Sequence, residues 1–237
     1  MGRYAEPLAA VFGAFAGVRQ GDQVLDVGCG PGALTAVLRA GGAEVAGIDP
    51  SEPFVEAVSR RFPGVDVRLG TAEELPYDTG VFDVSLAQLV VHFMADPLAG
   101  IGQMARVTRS GGIVAACMWD VNHGALKPFW DCVRAIDPDV DDGGLVSGAP
   151  AGYLTGLFES AGLLDVQEDS IAVDVLHPSF TQWWEPYTLG VGVAGDYVQK
   201  LDESSRGHLE AVARQRLGDG EFTVTATAWA ACGSVRR

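Results

Sequence analysis

Basic residues, paired cysteines and long apolar runs are all scarce in this chain of 237 residues, and each scarcity removes a class of function. Only 16 Lys and Arg stand against 31 Asp and Glu, a net charge of −15 with a pI near 4.5. Binding to a nucleic-acid backbone draws its affinity from Lys and Arg neutralising phosphates, and docking on an anionic membrane surface needs the same groups. Neither partner is expected; a small-molecule substrate is. The four cysteines, Cys29, Cys117, Cys132 and Cys232, form no CxxC pair, so no zinc ribbon, redox dithiol or other metal site is signalled. Their sparse spacing suits a reducing compartment. No apolar stretch approaches the roughly 20 residues of a membrane-crossing helix. The opening MGRYAEP lacks a charged segment followed by an apolar one, so no signal peptide is read and a cytoplasmic setting is expected. The sequence leaves monomer and homodimer equally open.

What is present is globular: 48% hydrophobic and 20% charged residues, enough for one sizeable core in one domain. The acid is uneven. Residues 120–176 carry nine net negative charges, among them Asp137, Asp139, Asp141 and Asp142. A solvated acidic loop is the simpler reading, since a metal site needs convergent ligands.

A short apolar, β-branched run closed by glycine predicts a buried strand at 23–28, and further strands are read at 44–49, 65–70, 82–88 and 111–119. Helical spacing predicts helices at 7–18, 33–41, 53–62 and 96–107 between or before them. Strands alternating with helices imply βαβ units and a mainly parallel sheet, with ligands bound at the strands' carboxyl edge. Further on, 127–136 and 151–162 read as helices, and 165–175 and 221–233 as half-wet strands of an antiparallel hairpin. A helical insertion, including a helix at 203–217, falls inside that hairpin.

The strongest local signal is VLDVGCGPG at 24–32. Glycines after a buried strand let the chain turn sharply and let a ligand approach the main chain. Gly28, Gly30 and Ala33 satisfy the loose dinucleotide pattern, and Asp49, ending the second strand, suits ribose hydroxyls of a dinucleotide or of an adenosyl ligand alike. Asp26 breaks the tie, because a carboxylate at this edge repels a pyrophosphate and attracts an ammonium or sulfonium. Pro31 and Gly32 tighten a loop that need not wrap a diphosphate.

This segment resembles the first motif of class I S-adenosylmethionine-dependent methyltransferases. The resemblance continues through VAGIDPS (45–51), GTAEELPYDTGVFDVSLAQLVVHFMADP (70–97) and MARVTRSGGIVAA (104–116), about the first half of the chain. It is closest in flavour to the small-molecule enzymes of the menaquinone and ubiquinone group. It implies an α/β, Rossmann-like, doubly wound sheet of seven strands, mainly parallel, ending in an antiparallel hairpin with the helical insertion. It implies one domain over 1–237: an N-terminal helical segment (1–20), a cofactor-binding core (21–119) and a substrate-side half (120–237) with the insertion at 177–217. It further implies S-adenosylmethionine as cofactor. Asp26, Gly28 and Gly30 would meet its methionine amino end, Asp49 the ribose and Pro50 the adenine. Ala72 and Glu73 would border the adenine, and Gln88 would lie near the methionyl moiety. Thr71 stands where many relatives have Asp, which puts its side-chain contact in question.

Methyl transfer needs the nucleophile held in line with the sulfonium and, for a hydroxyl or acidic carbon, a base. His92, four residues beyond Gln88, is the candidate, although shaping the loop is an equally good account of it. His123 is a second histidine able to face the pocket; His177 and His208 read as surface or capping residues. Trp119, Phe129, Trp130, Phe180, Trp183, Trp184, Tyr187 and Tyr197 supply aromatic surface, of which one or two are expected to line a substrate pocket and the rest to be core. The glycine-rich TLGVGVAGDY (188–197) reads as a mobile lid element or a tight connection. The expected function is methyl transfer to O, N or C of a small molecule. A non-catalytic S-adenosylmethionine-binding module is the alternative, and an NAD-dependent oxidoreductase a weaker one.

Overall fold

A computed structural model describes residues 2–140, 148–190 and 192–236. Asp141 and Asp142 of the acidic run lie outside them.

Five strands, three of whose four connections contain an α-helix, build the first half. Strands β1 (Gln23–Val27), β2 (Glu44–Asp49), β3 (Asp66–Leu69), β4 (Phe82–Gln88) and β5 (Thr108–Trp119) alternate with helices α2 (Ala33–Ala40), α3 (Glu52–Arg61) and α4 (Pro97–Val107). Helix α1 (Gly2–Phe15) precedes them. The second half adds α5 (Lys127–Ile136), α6 (Tyr153–Ser160), β6 (Leu164–His177), α7 (Phe180–Thr188), α8 (Gly192–Lys200), α9 (Glu203–Leu217) and β7 (Phe222–Ser234). The sheet order is β3-β2-β1-β4-β5-β7-β6, with the first five strands parallel and β7 antiparallel to both neighbours. This is the expected seven-stranded, doubly wound sheet, and α7–α9 are the expected insertion within the β6–β7 hairpin.

Side-chain alternation divides the core between the two faces. Val24 of β1, Val84 and Leu86 of β4, and Ala115, Cys117 and Trp119 of β5 face α1 and α2, meeting Leu8, Phe12 and Leu34. Leu25, Val27, Ala87, Val114, Ala116 and Met118 face the other way, onto α4 and α6. A third cluster joins α5 to the insertion through Phe129, Trp130, Phe180, Trp183 and Trp184. Strand order reverses between β1 and β4, which opens a crevice at their carboxyl ends, the place where such sheets bind ligands.

Two segments differ from the sequence expectation. Helix α1 begins at Gly2 rather than at Pro7, because Tyr4 is buried and its hydroxyl meets His177 Nε2 at 2.9 Å, anchoring an added turn. In the glycine-rich stretch after Thr188, Leu189 and Gly190 form a turn and the regular helix α8 begins at Gly192; Val191 lies outside the described residues. Its glycines serve contact: a Cβ on Gly195 would lie 2.4 Å from the main chain of Gly190.

Candidate functional site

The glycine turn leaves β1 with Gly28 at φ +69°, Gly30 at +52° and Gly32 at +86°, left-handed conformations that carry little cost only without a Cβ. A Cβ on Gly28 would strike Val90 Cγ1 at 2.6 Å, whereas one on Gly30 would meet nothing within 4 Å. The turn is held by Asp49 at the end of β2: Gly30 N–H donates to Asp49 Oδ2 (2.8 Å) and Ser51 N–H to Asp49 Oδ1 (2.9 Å). Each carboxylate oxygen keeps a further lone pair for a ligand hydroxyl.

Beside this turn lies a cavity of about 540 Å³, a size usual for a small-molecule site. Of the residues singled out from the sequence, Gly28, Gly30, Asp49, Pro50, Thr71, Ala72 and Glu73 line it. Apart from Ser51, the rest of the wall is apolar, with Val27, Ile48, Phe54, Val90, Phe93 and Met94 its larger side chains. An apolar slot with one carboxylate near its glycine end fits an adenosine, whose purine faces are apolar and whose ribose offers two hydroxyl donors. Glu73 is held at the rim by the N–H groups of Ala95 (2.7 Å) and Asp96 (3.3 Å). Although burial pushes its carboxyl the other way, these and other hydrogen bonds leave Glu73 below its usual range and hence ionised.

Asp26 and Gln88 are not brought to that wall. Both project from their strands onto the side of the sheet that carries α1 and α2. Asp26 is buried, accepting a 2.6 Å hydrogen bond from the Thr35 hydroxyl. Loss of solvent raises its pKa to about 6, with the Asp49 charge adding to the effect and the Thr35 bond opposing it. Gln88 Nε2 donates to the carbonyl of Ala5 in α1 (3.0 Å), tying the N-terminal helix to the crevice.

A second cavity of about 710 Å³ opens between α1, the end of β4, the end of β6 and the insertion. His92, in the single 3₁₀ turn Val91–Phe93, lines it, and Phe93 lines both cavities. Leu89, at φ +60°, swings the chain so that it faces the second cavity while Val90 faces the first. Burial lowers the His92 pKa, and its Nδ1 is buried with no hydrogen-bond partner among the described residues. The imidazole is therefore neutral near pH 7.

Of the aromatics, Trp183 and Tyr187 line the second cavity, while Phe129, Trp184 and Phe180 are core. Tyr197 packs edge-on against Phe129 and Trp130. Trp119 is buried against Tyr4. His177 is not a surface residue: it is 3% exposed, stacked on Phe222 and bonded to Tyr4. Its position explains this, since the alternation that buries Ile171, Val173 and Val175 reaches 177 on the same face. His123 does not face the second cavity; its exposed ring lies 3.2 Å from Asp120 Oδ1 in a separate polar cleft. His208 is exposed on α9, as expected. Among the described residues no group of three or more His, Cys, Asp or Glu could hold a metal ion, and no helix is long and apolar enough to cross a membrane.

Sequence reasoning missed Phe54, Val90, Phe93 and Met94 at the first cavity and Tyr4 at the second. Apolar lining residues carry no signal that separates them from core, and Tyr4 lay in a turn not read as helix.

Comparison with known proteins fits this geometry. The methyltransferase-domain family matches residues 25–116. An uncharacterized 37.1 kDa protein in transposon TN4556 of Streptomyces fradiae is 30% identical over 224 residues, covering 88% of this chain and 61% of that protein. Malonyl-[acyl-carrier protein] O-methyltransferase of Salmonella typhimurium is 36% identical over 119 residues, 50% of this chain and 47% of that enzyme. The chain thus spans about half to three fifths of the length of these relatives. The solved YcgJ protein of Bacillus subtilis superposes with a TM-score of 0.61 at 18% identity, covering 98% of both chains. The fold is the Rossmann-like sheet shared with solved proteins of this kind, and the segment from β1 through most of β5 matches the methyltransferase-domain family.

Proposed function

We propose that the protein transfers a methyl group from S-adenosylmethionine to an oxygen, nitrogen or carbon nucleophile of a small molecule. The observation that carries this reading is the first cavity. It is an apolar slot whose one buried carboxylate, Asp49, is pinned by Gly30 and Ser51 at the carboxyl end of β2. In this reading Asp49 accepts from both ribose hydroxyls, and Pro50, Ala72 and Glu73 border the adenine, with Thr71 beside them. Gly28 and Gly30 let the methionine end lie against the main chain. Asp26 contributes negative charge from beneath the turn, and Gln88 places α1 beside the methionyl end. When bound, the cofactor supplies a methyl group on a sulfonium sulfur. His92, neutral and lining the second cavity, takes the acceptor's proton. One domain over 1–237, with the substrate side in 120–237, belongs to the same proposal. So does a cytoplasmic setting, which the free thiols of Cys29, Cys117, Cys132 and Cys232 fit.

Calorimetry tests it. S-adenosylmethionine and S-adenosylhomocysteine should bind at submillimolar concentration or tighter, and NAD should not. Asp49→Ala should weaken S-adenosylhomocysteine by about tenfold or more, since hydrogen bonds to a charged group are each worth about 1.5–3 kcal/mol. An unchanged dissociation constant rejects the ribose assignment, and no adenosyl binding rejects the whole reading. Transfer of a tritiated methyl group across a metabolite panel then identifies the acceptor.

A further inference from the structure

The second cavity carries information about what enters it. Its walls are largely apolar, built from Leu89, Leu126, Trp183, Pro186 and Val193. The charged side chains on its lining, Arg3 and Asp196, belong to exposed residues. No buried cation on the described lining could pair with a carboxylate or phosphate, and no buried carboxylate could pair with an ammonium. An ion entering it would therefore lose hydration with only the solvent-screened Arg3 and Asp196 to offset the loss. Both histidines on the wall are lowered from their ordinary pKa by burial, His177 to about 4, so neither supplies charge near neutrality.

Besides the neutral ring nitrogens of His92, His177 and Trp183 and the exposed Gln182 amide, the polar groups on the lining include two hydroxyls. Tyr4 is 6% exposed and Tyr187 8%, and both line the cavity. Tyr187 makes no hydrogen bond among the described residues, although its ring packs against Phe129, Trp183 and Trp184. Its hydroxyl is not among the atoms closed off from solvent and lies on the cavity lining, so it is free to meet a ligand oxygen. Tyr4 OH stands 2.9 Å from His177 Nε2, and His177 Nδ1 is buried without a partner. The neutral ring has two tautomers. With Nε2 bare, it accepts the Tyr4 proton and leaves the Tyr4 oxygen to accept from a ligand. With Nε2–H, it donates to Tyr4 and frees the Tyr4 proton for a ligand acceptor. The pair can answer either end of a ligand hydroxyl.

We propose that this cavity is the acceptor site and that it takes an uncharged, mostly apolar molecule whose hydroxyl is held by Tyr4 and Tyr187, with His177 positioning Tyr4. The proposal rests on the methyl-transfer reading above only for the word acceptor; the binding preference stands by itself.

The test uses 1-naphthol, 1-naphthoate and 1-naphthylmethylammonium as probes, titrated calorimetrically into the full chain with and without S-adenosylhomocysteine. Naphthol is expected to bind at least tenfold more tightly than either ion. Tyr4→Phe and Tyr187→Phe should each weaken naphthol by about three- to tenfold, the scale of one hydrogen bond, while S-adenosylhomocysteine affinity stays unchanged. His177→Gln, whose amide can still meet Tyr4, should keep more of the naphthol affinity than His177→Leu. Failure of wild-type protein to bind naphthol, or either ion binding as tightly, overturns the proposal without recourse to a variant. So does full naphthol affinity in the Tyr4→Phe, Tyr187→Phe double variant. If S-adenosylhomocysteine fails to bind while the naphthol preference holds, the methyl-transfer reading falls and this cavity remains a site for neutral hydroxyl compounds. If S-adenosylhomocysteine binds and the preference is absent, only the present inference falls.

Discussion

Asp26 is 1% exposed, and its pKa near 6 stands above the ordinary 3.8, so the native chain holds that proton more tightly than the unfolded chain does. Stability from this group is therefore greatest below the ordinary value, declines as pH rises from about 4 to 6, and is level above that. The shift corresponds to about 3 kcal/mol. Asp26→Asn keeps an oxygen for the Thr35 hydroxyl and removes the charge. In urea unfolding its advantage over the wild type should grow from near zero at pH 4 to about 3 kcal/mol at pH 7; a gap that does not change with pH counts against the argument. The same variant should bind S-adenosylmethionine more weakly, the trade common at sites that keep a costly charge. For His92 the direction is opposite. Lowered below its usual 6.5 by burial, it stays deprotonated further into acid, so the acid limb of kcat/KM should lie below 6.5. His92→Ala should remove that limb and lower kcat by about 100-fold or more with S-adenosylhomocysteine affinity intact; full activity excludes it as the base. At this scale the sequence is informative where chemistry is unusual for its position. A carboxylate ending a buried strand, as at Asp49, has few explanations. A histidine ending an alternating strand, as at 177, has many, and only its face decides among them.

At the scale of elements, β1, β2, β4 and β5 were legible because each contains a buried apolar run, β3, an edge strand with no buried residue, because its apolar and polar residues alternate, and β6 and β7 because their alternation is sustained. Helix α8 was not. Glycine lowers helix propensity, and a sequence alone cannot distinguish a glycine that loosens a chain from one that lets two backbones touch, as Gly195 does against Gly190. The 3₁₀ turn after β4 was likewise read as loop or short helix, yet it supplies walls to both cavities through Val90, His92 and Phe93. Its packing on the glycine turn makes the two segments one unit. Gly28→Ala should destabilise the protein by about 1–2 kcal/mol from the left-handed backbone alone, and should displace Val90 into the first cavity. Val90→Ala removes the two methyl carbons that a new Cβ would meet at 2.6 and 3.1 Å but leaves Cβ at 2.9 Å. The double variant should accordingly recover part of the lost S-adenosylhomocysteine affinity. Strict additivity of the two changes, measured as a double-mutant cycle, would show that the segments are not coupled.

At the scale of the whole molecule, one sheet connects a nucleotide-type half to an insertion that has its own aromatic cluster. The insertion runs from β6 into β7, which lies between β5 and β6, so both its ends are tied to the sheet that carries the first cavity. The net charge of −15 repels polyanions as an overall field, while the selectivity proposed for the acceptor comes from a cavity wall with no buried charge. A ligand held at β1 and β2 should therefore protect every strand at once. At a hundredfold excess over its dissociation constant, S-adenosylhomocysteine adds about 2.7 kcal/mol to the native state. For a chain of this length that raises Tm by about 5–10 °C. One transition should move as a whole in a calorimetric scan, NAD should leave it in place, and Asp49→Ala should reduce the shift at the same ligand concentration. Two transitions, with only one responding to the ligand, would mean that α7–α9 and α5 melt as a separate unit and that the sheet does not couple the two cavities.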